Sequence, residues 1–160
     1  TIGNAILEPM YVHGLHNNDT QRREKVEELL AKVNLSPEHF GRYPHEFSGG
    51  QRQRVGIARA IALEPAFILA DEIVSGLDVS SQAQVLNLLE RLVADLGLTL
   101  AFISHYLSVI RRLCQQTIVL SQGVIVENRV TAELFSDPQA AYTRDLLDAI
   151  PLPDPDQLWA

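Results

Sequence analysis

Residues 67–72 read Phe-Ile-Leu-Ala-Asp-Glu, a continuous apolar run that stops at two carboxylates. Without period-two alternation, such a run predicts a strand buried on both faces of a parallel sheet. Residues 79–97, VSSQAQVLNLLERLVADLG, predict a helix in which Val85, Leu88, Leu89, Leu92, Val93 and Leu96 form one apolar stripe and Gly97 ends it. Residues 98–104, LTLAFIS, are a second apolar run, and it ends at His105. Strand, helix, strand implies a right-handed βαβ unit, so the fold class is α/β with a parallel sheet.

Toward the C-terminus the pattern predicts a helix over about 107–114, two short strands (TIVL and GVIVE) turning around Gly123, and short helices at TAELF and AYTRDLLDAI. The end is rich in proline (Pro151, Pro153, Pro155) and is expected to be loose. Toward the N-terminus no strand signal occurs. QRREKVEELLAKVNL, residues 21–35, places Val26, Leu29, Leu30 and Val33 at helical spacing after Asp19 or Thr20 as N-cap. SPEHFGRYPHEF is a turn-rich connector, and Ser48 opens a helix to about Leu63 with Pro65 beyond it. Residues 1–18 carry apolar Ile2, Ile6, Leu7, Met10 and Val12 without an initiating methionine, as expected of an internal segment of a longer protein. The expected organisation is a helical subdomain over 1–63, part of an α/β core over 64–150 and the Pro-rich tail over 151–160.

With 160 residues, 46% apolar and 21% charged, the chain has the size and composition of one globular domain, which excludes a disordered spacer. The longest apolar stretch, Ala60 to Ala70, is broken by Glu64 and Pro65 and falls short of the ~20 residues that span a bilayer. A single cysteine, Cys114, cannot form an internal disulfide, and no signal-peptide pattern opens the sequence; a cytoplasmic location is the expectation. Thirteen basic against twenty acidic side chains give a net charge of −7, which argues against a nucleic-acid surface. The only lysines, Lys25 and Lys32, follow Glu24 and Ala31, so no GxxxxGK[ST] phosphate loop occurs in these residues.

Three places carry chemistry. At Ser48-Gly49-Gly50-Gln51, Ser48 as N-cap and Gln51 three residues later form a capping box, which is a sufficient structural reading by itself. Two glycines at a helix start cost stability, however, and they bare the outward N–H groups where the helix dipole is positive, which suits a phosphate. Asp71 and Glu72 stand where open α/β sheets bind ligands: Asp71 is placed to hold Mg²⁺ through water, and Glu72 to orient or deprotonate an attacking water. Read alone, they are equally a solvated strand end or a helix cap. His105, after the next strand, can contact a γ-phosphate or its attacking water, although a lone histidine is more often without such a role.

In this order and spacing the residues resemble the nucleotide-binding domain of ABC transporters. FSGGQ is similar to that family's signature motif, FILADE to its Walker B, Ser75-Gly76-Leu77-Asp78 to its D-loop and His105 to its H-loop switch. YPHEFSGGQRQR, LDVSSQAQVLNLL and DPQAAYTRDLLDAIP resemble the oligopeptide, dipeptide and nickel importer group. The resemblance implies a P-loop NTPase-like (RecA-like) core, incomplete here, with an α-helical signature subdomain. It implies ATP and Mg²⁺ as cofactors and ATP hydrolysis coupled to import of peptides or a similar solute. Two such domains close head to tail over two ATP molecules. Ser48, Gly49 and Gly50 then bind the γ-phosphate in trans with Gln51 nearby, Asp71 supports Mg²⁺, Glu72 acts on the water, His105 senses the γ-phosphate and Asp78 bridges the dimer.

The implied partners are a second ATPase domain, identical or different, and integral membrane permeases, with a substrate-binding protein acting indirectly and no nucleic acid. The implied location is the inner face of the plasma membrane. The family's P-loop and Q-loop are expected upstream of Thr1, so the isolated chain is expected to be inactive and to leave the apolar faces of FILA and LAFI partly uncovered. Smaller departures are Ile73 where the family has proline, Gly76 for alanine, Tyr106 for aspartate and Phe47 for leucine. A soluble ABC-type ATPase without permeases and a non-hydrolytic interaction module are the alternatives.

Overall fold

A computed structural model describes residues 1–16 and 18–149, so the expected loose tail lies outside the described residues. The chain divides into two compact units, Thr1–Ile103 and a second beginning at Ser104.

The first unit begins with helices α1 (Ile2–Val12), α2 (Asp19–Lys32) and α3 (Gly49–Ile61), with short 3-10 turns at Pro37–Gly41 and Pro44–Glu46 between α2 and α3. Ile2, Ile6 and Met10, one helical turn apart on α1, are buried along with Val26, Leu29 and Leu30 of α2 and Ile57, Ala58 and Ile61 of α3. The spacing predicted for α2 holds, but its cap is Asn18, whose side chain accepts the Gln21 amide at 2.9 Å, not Asp19 or Thr20. Asp19 in the first turn and Lys32 in the last complement the dipole. Helix α3 stops at Ile61, short of the expected Leu63. Helix α1 fits the expected helical character of this region, although no separate helix was delimited over residues 1–18, where Gly3 and Pro9 interrupt the four-residue apolar repeat. Gly3 is required there: a Cβ at this position would overlap the Phe40 ring, which Arg23 covers from 4.4 Å.

Strand β1 (Phe67–Asp71) pairs in parallel with β2 (Thr99–Ile103), from Phe67 opposite Thr99 to Asp71 opposite Ile103, with α4 (Val79–Leu96) between them in sequence. The βαβ expectation holds. Burial on both faces does not: Phe67, Leu69 and Ile103 are about half exposed, whereas Ala70 is buried. Successive strand residues point to opposite sides, so one face of this strand pair is bare and apolar. On α4 the buried stripe is Val85, Leu86, Leu88, Leu89 and Leu92; Leu96 is exposed. Gly97 ends the helix at φ 63°, the left-handed cap its position predicts.

The second unit holds α5 (Leu107–Leu113), strands β3 (Gln116–Ser121) and β4 (Val124–Val130), α6 (Thr131–Ser136) and α7 (Ala141–Asp148). β3 and β4 form an antiparallel hairpin through Gln122 and Gly123, both at positive φ, the backbone that suits the twist of a two-residue turn. Buried Glu127 on β4 accepts the amides of Gln139 at 3.0 Å and Ala140 at 3.1 Å, and so caps the start of α7 from a distant strand. The Thr143 hydroxyl beside it, followed by these two amides, holds the Glu127 carboxyl below its ordinary value.

Candidate functional site

The start of α3 is built as its sequence predicts. Ser48 Oγ accepts the Gln51 amide at 3.3 Å, and Gln51 Oε1 accepts the Ser48 amide at 3.0 Å. Gln51 is thereby committed to the cap. The Gly49 and Gly50 N–H groups belong to the first turn, where helix geometry supplies no acceptor, and no acidic side chain lies in that turn. These amides lie at a positive helix end of the kind that suits an anion, with Gly49 half-buried and Gly50 buried.

The glycines have a second role. A Cβ on Gly50 would stand 3.2 Å from Ser81 Cβ and 3.3 Å from Ser81 Oγ, and one on Gly49 would stand 2.9 Å from Leu77 Cδ2. The α3 terminus thus packs directly against the segment entering α4. That segment leaves β1 at Asp71 and turns sharply at Glu72, whose φ of 47° is left-handed. The Glu72 amide donates to the Ile103 carbonyl at 2.9 Å, and its own carbonyl accepts the Ser75 amide at 2.9 Å. Such a conformation costs a non-glycine residue about 1–2 kcal/mol. Val74 is fully buried, Gly76 turns the chain at φ 72°, and Gln82 Nε2 ties the loop down through the carbonyls of Val74 and Leu77 at 3.2 and 3.3 Å. Glycine at 76 fits this backbone, whereas the alanine usual in the resembled motif would be strained in it.

Asp78 has a structural role that its motif position did not announce. It caps α4, accepting the Ser81 amide at 2.9 Å and the Ser81 hydroxyl at 2.7 Å. The Ser81 hydroxyl and then the Ser81 amide hold its carboxyl below the ordinary aspartate value of 3.8. A depressed value stabilises the fold at pH above the ordinary value and loses that stabilisation as pH falls through the folded one. Urea titrations across acid pH should therefore show wild type ahead of Asp78→Asn near neutrality, with the gap closing below about pH 4. Parallel curves for the two proteins would contradict the cap's charge dependence.

Asp71 and Glu72 are both exposed at the end of β1. Among the described residues no cluster of three or more His, Cys, Asp or Glu is placed to hold a metal. One carboxylate at the strand end nevertheless fits Mg²⁺ arriving with phosphates, since that ion keeps several waters and takes one or two protein carboxylates. His105 lies in the second unit, two residues past β2, exposed, with its ring centroid 4.2 Å from that of Tyr106. The structure thus brings Ser48, Gly49, Gly50 and Gln51 together with Leu77, Asp78 and Ser81, and sets Asp71 and Glu72 side by side at the strand end. Ser81 and Gln82 were not singled out from sequence; the D-x-x-S spacing of Asp78 and Ser81 is the capping signal that identifies the first of them.

Among the described residues no helix is long and apolar enough to cross a membrane. A family profile described as ABC transporter matches residues 4–75. The chain is 52% identical over 155 residues to the oligopeptide transport ATP-binding protein OppF of Streptococcus pyogenes, which aligns 97% of this chain with 50% of that protein. It is 52% identical over 155 residues to AmiF, an oligopeptide transport ATP-binding protein of Streptococcus pneumoniae, with the same coverage. It is 50% identical over 156 residues to OppF of Bacillus subtilis, covering 98% of this chain and 51% of that one. The chain spans about half the length of the curated relatives it matches. The signature-like cap on α3 and the carboxylate pair ending β1 thus sit in a chain whose residues 4–75 match the ABC transporter family and which is similar over nearly its whole length to oligopeptide transport ATP-binding proteins.

Proposed function

We propose that this chain is the signature- and Walker B-bearing part of an ATP-hydrolysing subunit that powers import of oligopeptides or a similar solute. The observation that carries this reading is the start of α3, where a complete capping box ties up Ser48 and Gln51, the Gly49 and Gly50 N–H groups fall in the first turn that has no helical acceptor, and no carboxylate lies in that turn. Such an end binds a phosphate that another segment presents. Ser48 and the two glycine amides would take the γ-phosphate of nucleotide held by the P-loop of a second ATPase domain. Gln51 would hold the cap rigid, and Asp78 would meet the partner while anchoring α4.

At the strand end, Glu72 would orient the attacking water and accept its proton, and Asp71 would hold Mg²⁺ through water. The ion, when bound, neutralises charge developing on the phosphates. His105 would contact the γ-phosphate. Residues 1–63 would form the helical subdomain that faces membrane permeases, and residues 64–150 would be part of a P-loop NTPase-like (RecA-like) core. The bare apolar face carrying Phe67, Leu69 and Ile103 supports a further layer of the whole protein packing on β1 and β2. The site would then lie on the inner face of the plasma membrane, fed indirectly by a substrate-binding protein. By itself, this segment would be inactive.

The test is to express the full-length protein with its neighbouring permease genes. Copurification with the permeases and ATP hydrolysis stimulated by peptide are expected. Hydrolysis without permease association would replace the importer by a soluble ATPase, and the absence of both would leave a non-hydrolytic module.

A further inference from the structure

Arg54 lies one turn beyond Gly50 on α3 and reaches two other elements at once. Its Nη1 donates to the Asn34 carbonyl, just past the end of α2, at 3.3 Å, and its Nη2 donates to Gln84 Oε1 on α4 at 3.1 Å. Its Nε is buried without a hydrogen-bond partner among the described residues, so this edge of the guanidinium has left water. The Arg54–Gln84 bond is the second rung of a seam whose first rung is Gly50 against Ser81. Residues 50 and 54, and 81 and 84, are each one helical turn apart, so along this seam the two helices run in the same direction. Both start at capped N-termini, Ser48 and Asp78. Positive helix ends set side by side repel each other, and the seam has to hold them in place. Asn34 is a shared anchor: its side chain accepts Arg91 Nη2 from α4 at 3.2 Å, and that same Nη2 reaches the Lys32 carbonyl at 2.8 Å.

We propose that Arg54 is a positioning residue that, through Gln84, fixes the angle between the signature amides on α3 and the segment carrying Glu72 and Asp78. The inference rests on the function proposed above and deepens it. A planar fork holds two acceptors in one geometry, which a lysine ammonium cannot reproduce. Arg54 touches neither nucleotide nor water in this account. Its effect passes through the aim of Gly49 and Gly50, and so should appear in the turnover step and in ATP-driven pairing of two ATPase domains, not in ATP binding by the P-loop of its own subunit.

The experiment uses the full-length protein. Arg54→Lys and Gln84→Ala are each expected to lower kcat roughly 5-fold, the size of one lost hydrogen bond, with KM for ATP unchanged and Tm lowered by no more than a few degrees. Gln84→Glu keeps the acceptor and should retain wild-type kcat, and the Arg54→Lys, Gln84→Ala double variant should be no worse than either single one. In a Glu72→Gln background, which removes turnover from the readout, Arg54→Lys should raise the ATP concentration needed for dimerisation. Arg59→Ala, which breaks an exposed ion pair from α3 to Glu8 on α1 and touches neither Asn34 nor Gln84, is the control and should leave kcat alone. Wild-type kcat in both Arg54→Lys and Gln84→Ala, or a joint change of kcat, KM and Tm, would overturn the inference. Gln84 is exposed, so its variants decide the question if Arg54 variants do not fold. A wild-type protein that hydrolyses no ATP would instead sink the functional reading itself.

Discussion

Glu72→Gln in the full-length protein is expected to lower ATP turnover by at least about 100-fold while ATP binding persists, because the exchange removes a proton acceptor. Glutamine keeps the length and shape of the side chain. The backbone contacts at this position, from the Glu72 amide to Ile103 and from the Ser75 amide to the Glu72 carbonyl, involve only main-chain atoms and survive the substitution. Steady-state phosphate release, together with equilibrium ATP binding to the same preparation, separates the two effects. Turnover within a few-fold of wild type would transfer the role of base to another group, with His105 the first to examine.

The largest loss of stability should come from Leu30→Ala, at about 2–5 kcal/mol. Leu30 is completely buried on α2, among Val26, Leu29 and the apolar faces of α1 and α3, in a cluster built from helices with no strand to share the load. Truncation there removes transfer energy and leaves a cavity in a small core, and the midpoint of urea unfolding measures both. The ion pairs on the same helix offer little compensation. Lys25 with Glu28 at 3.3 Å and with Glu64 at 3.2 Å, and Lys32 with Glu28 at 3.1 Å, have exposed acidic partners, and pairs of that kind contribute about 0–1 kcal/mol. A Leu30→Ala loss below about 1 kcal/mol would mean that the cluster relaxes around the gap.

Much of this architecture could be read from local chemistry. The βαβ order followed from two apolar runs and one amphipathic stripe, the α3 cap from Ser48 and Gln51, the α4 stop from Gly97 and the hairpin from the turn at Gly123. These signals are short-range, and tertiary structure had no reason to override them. Helix α1 was not singled out because Gly3 and Pro9 read as helix breakers: the glycine admits the Phe40 ring, and the proline sits inside the helix at the expense of the bond to the Ala5 carbonyl, a cost that the buried stripe of Ile2, Ile6 and Met10 outweighs. The bare half of β1 agrees with the expectation that the FILA and LAFI faces are left partly uncovered: an apolar run reports what a strand is suited to pack against, and half of that surface is bare among the described residues. The proposed site residues stand out as motifs, whereas the contacts that link them mechanically do not. Nothing in the spacing of Arg54 and Gln84, 30 positions apart, marks them as partners.

The left-handed backbone at Glu72 has a consequence for how this protein would drift if its activity were not needed. Glycine or asparagine accepts that backbone more readily than glutamate does. A library randomised at position 72 and selected only for resistance to heat should therefore discard the carboxylate early, and, on the proposed function, one selected for growth on an imported peptide should recover it. Sister lineages would then diverge at this codon according to whether transport is under selection, with the folded scaffold otherwise intact.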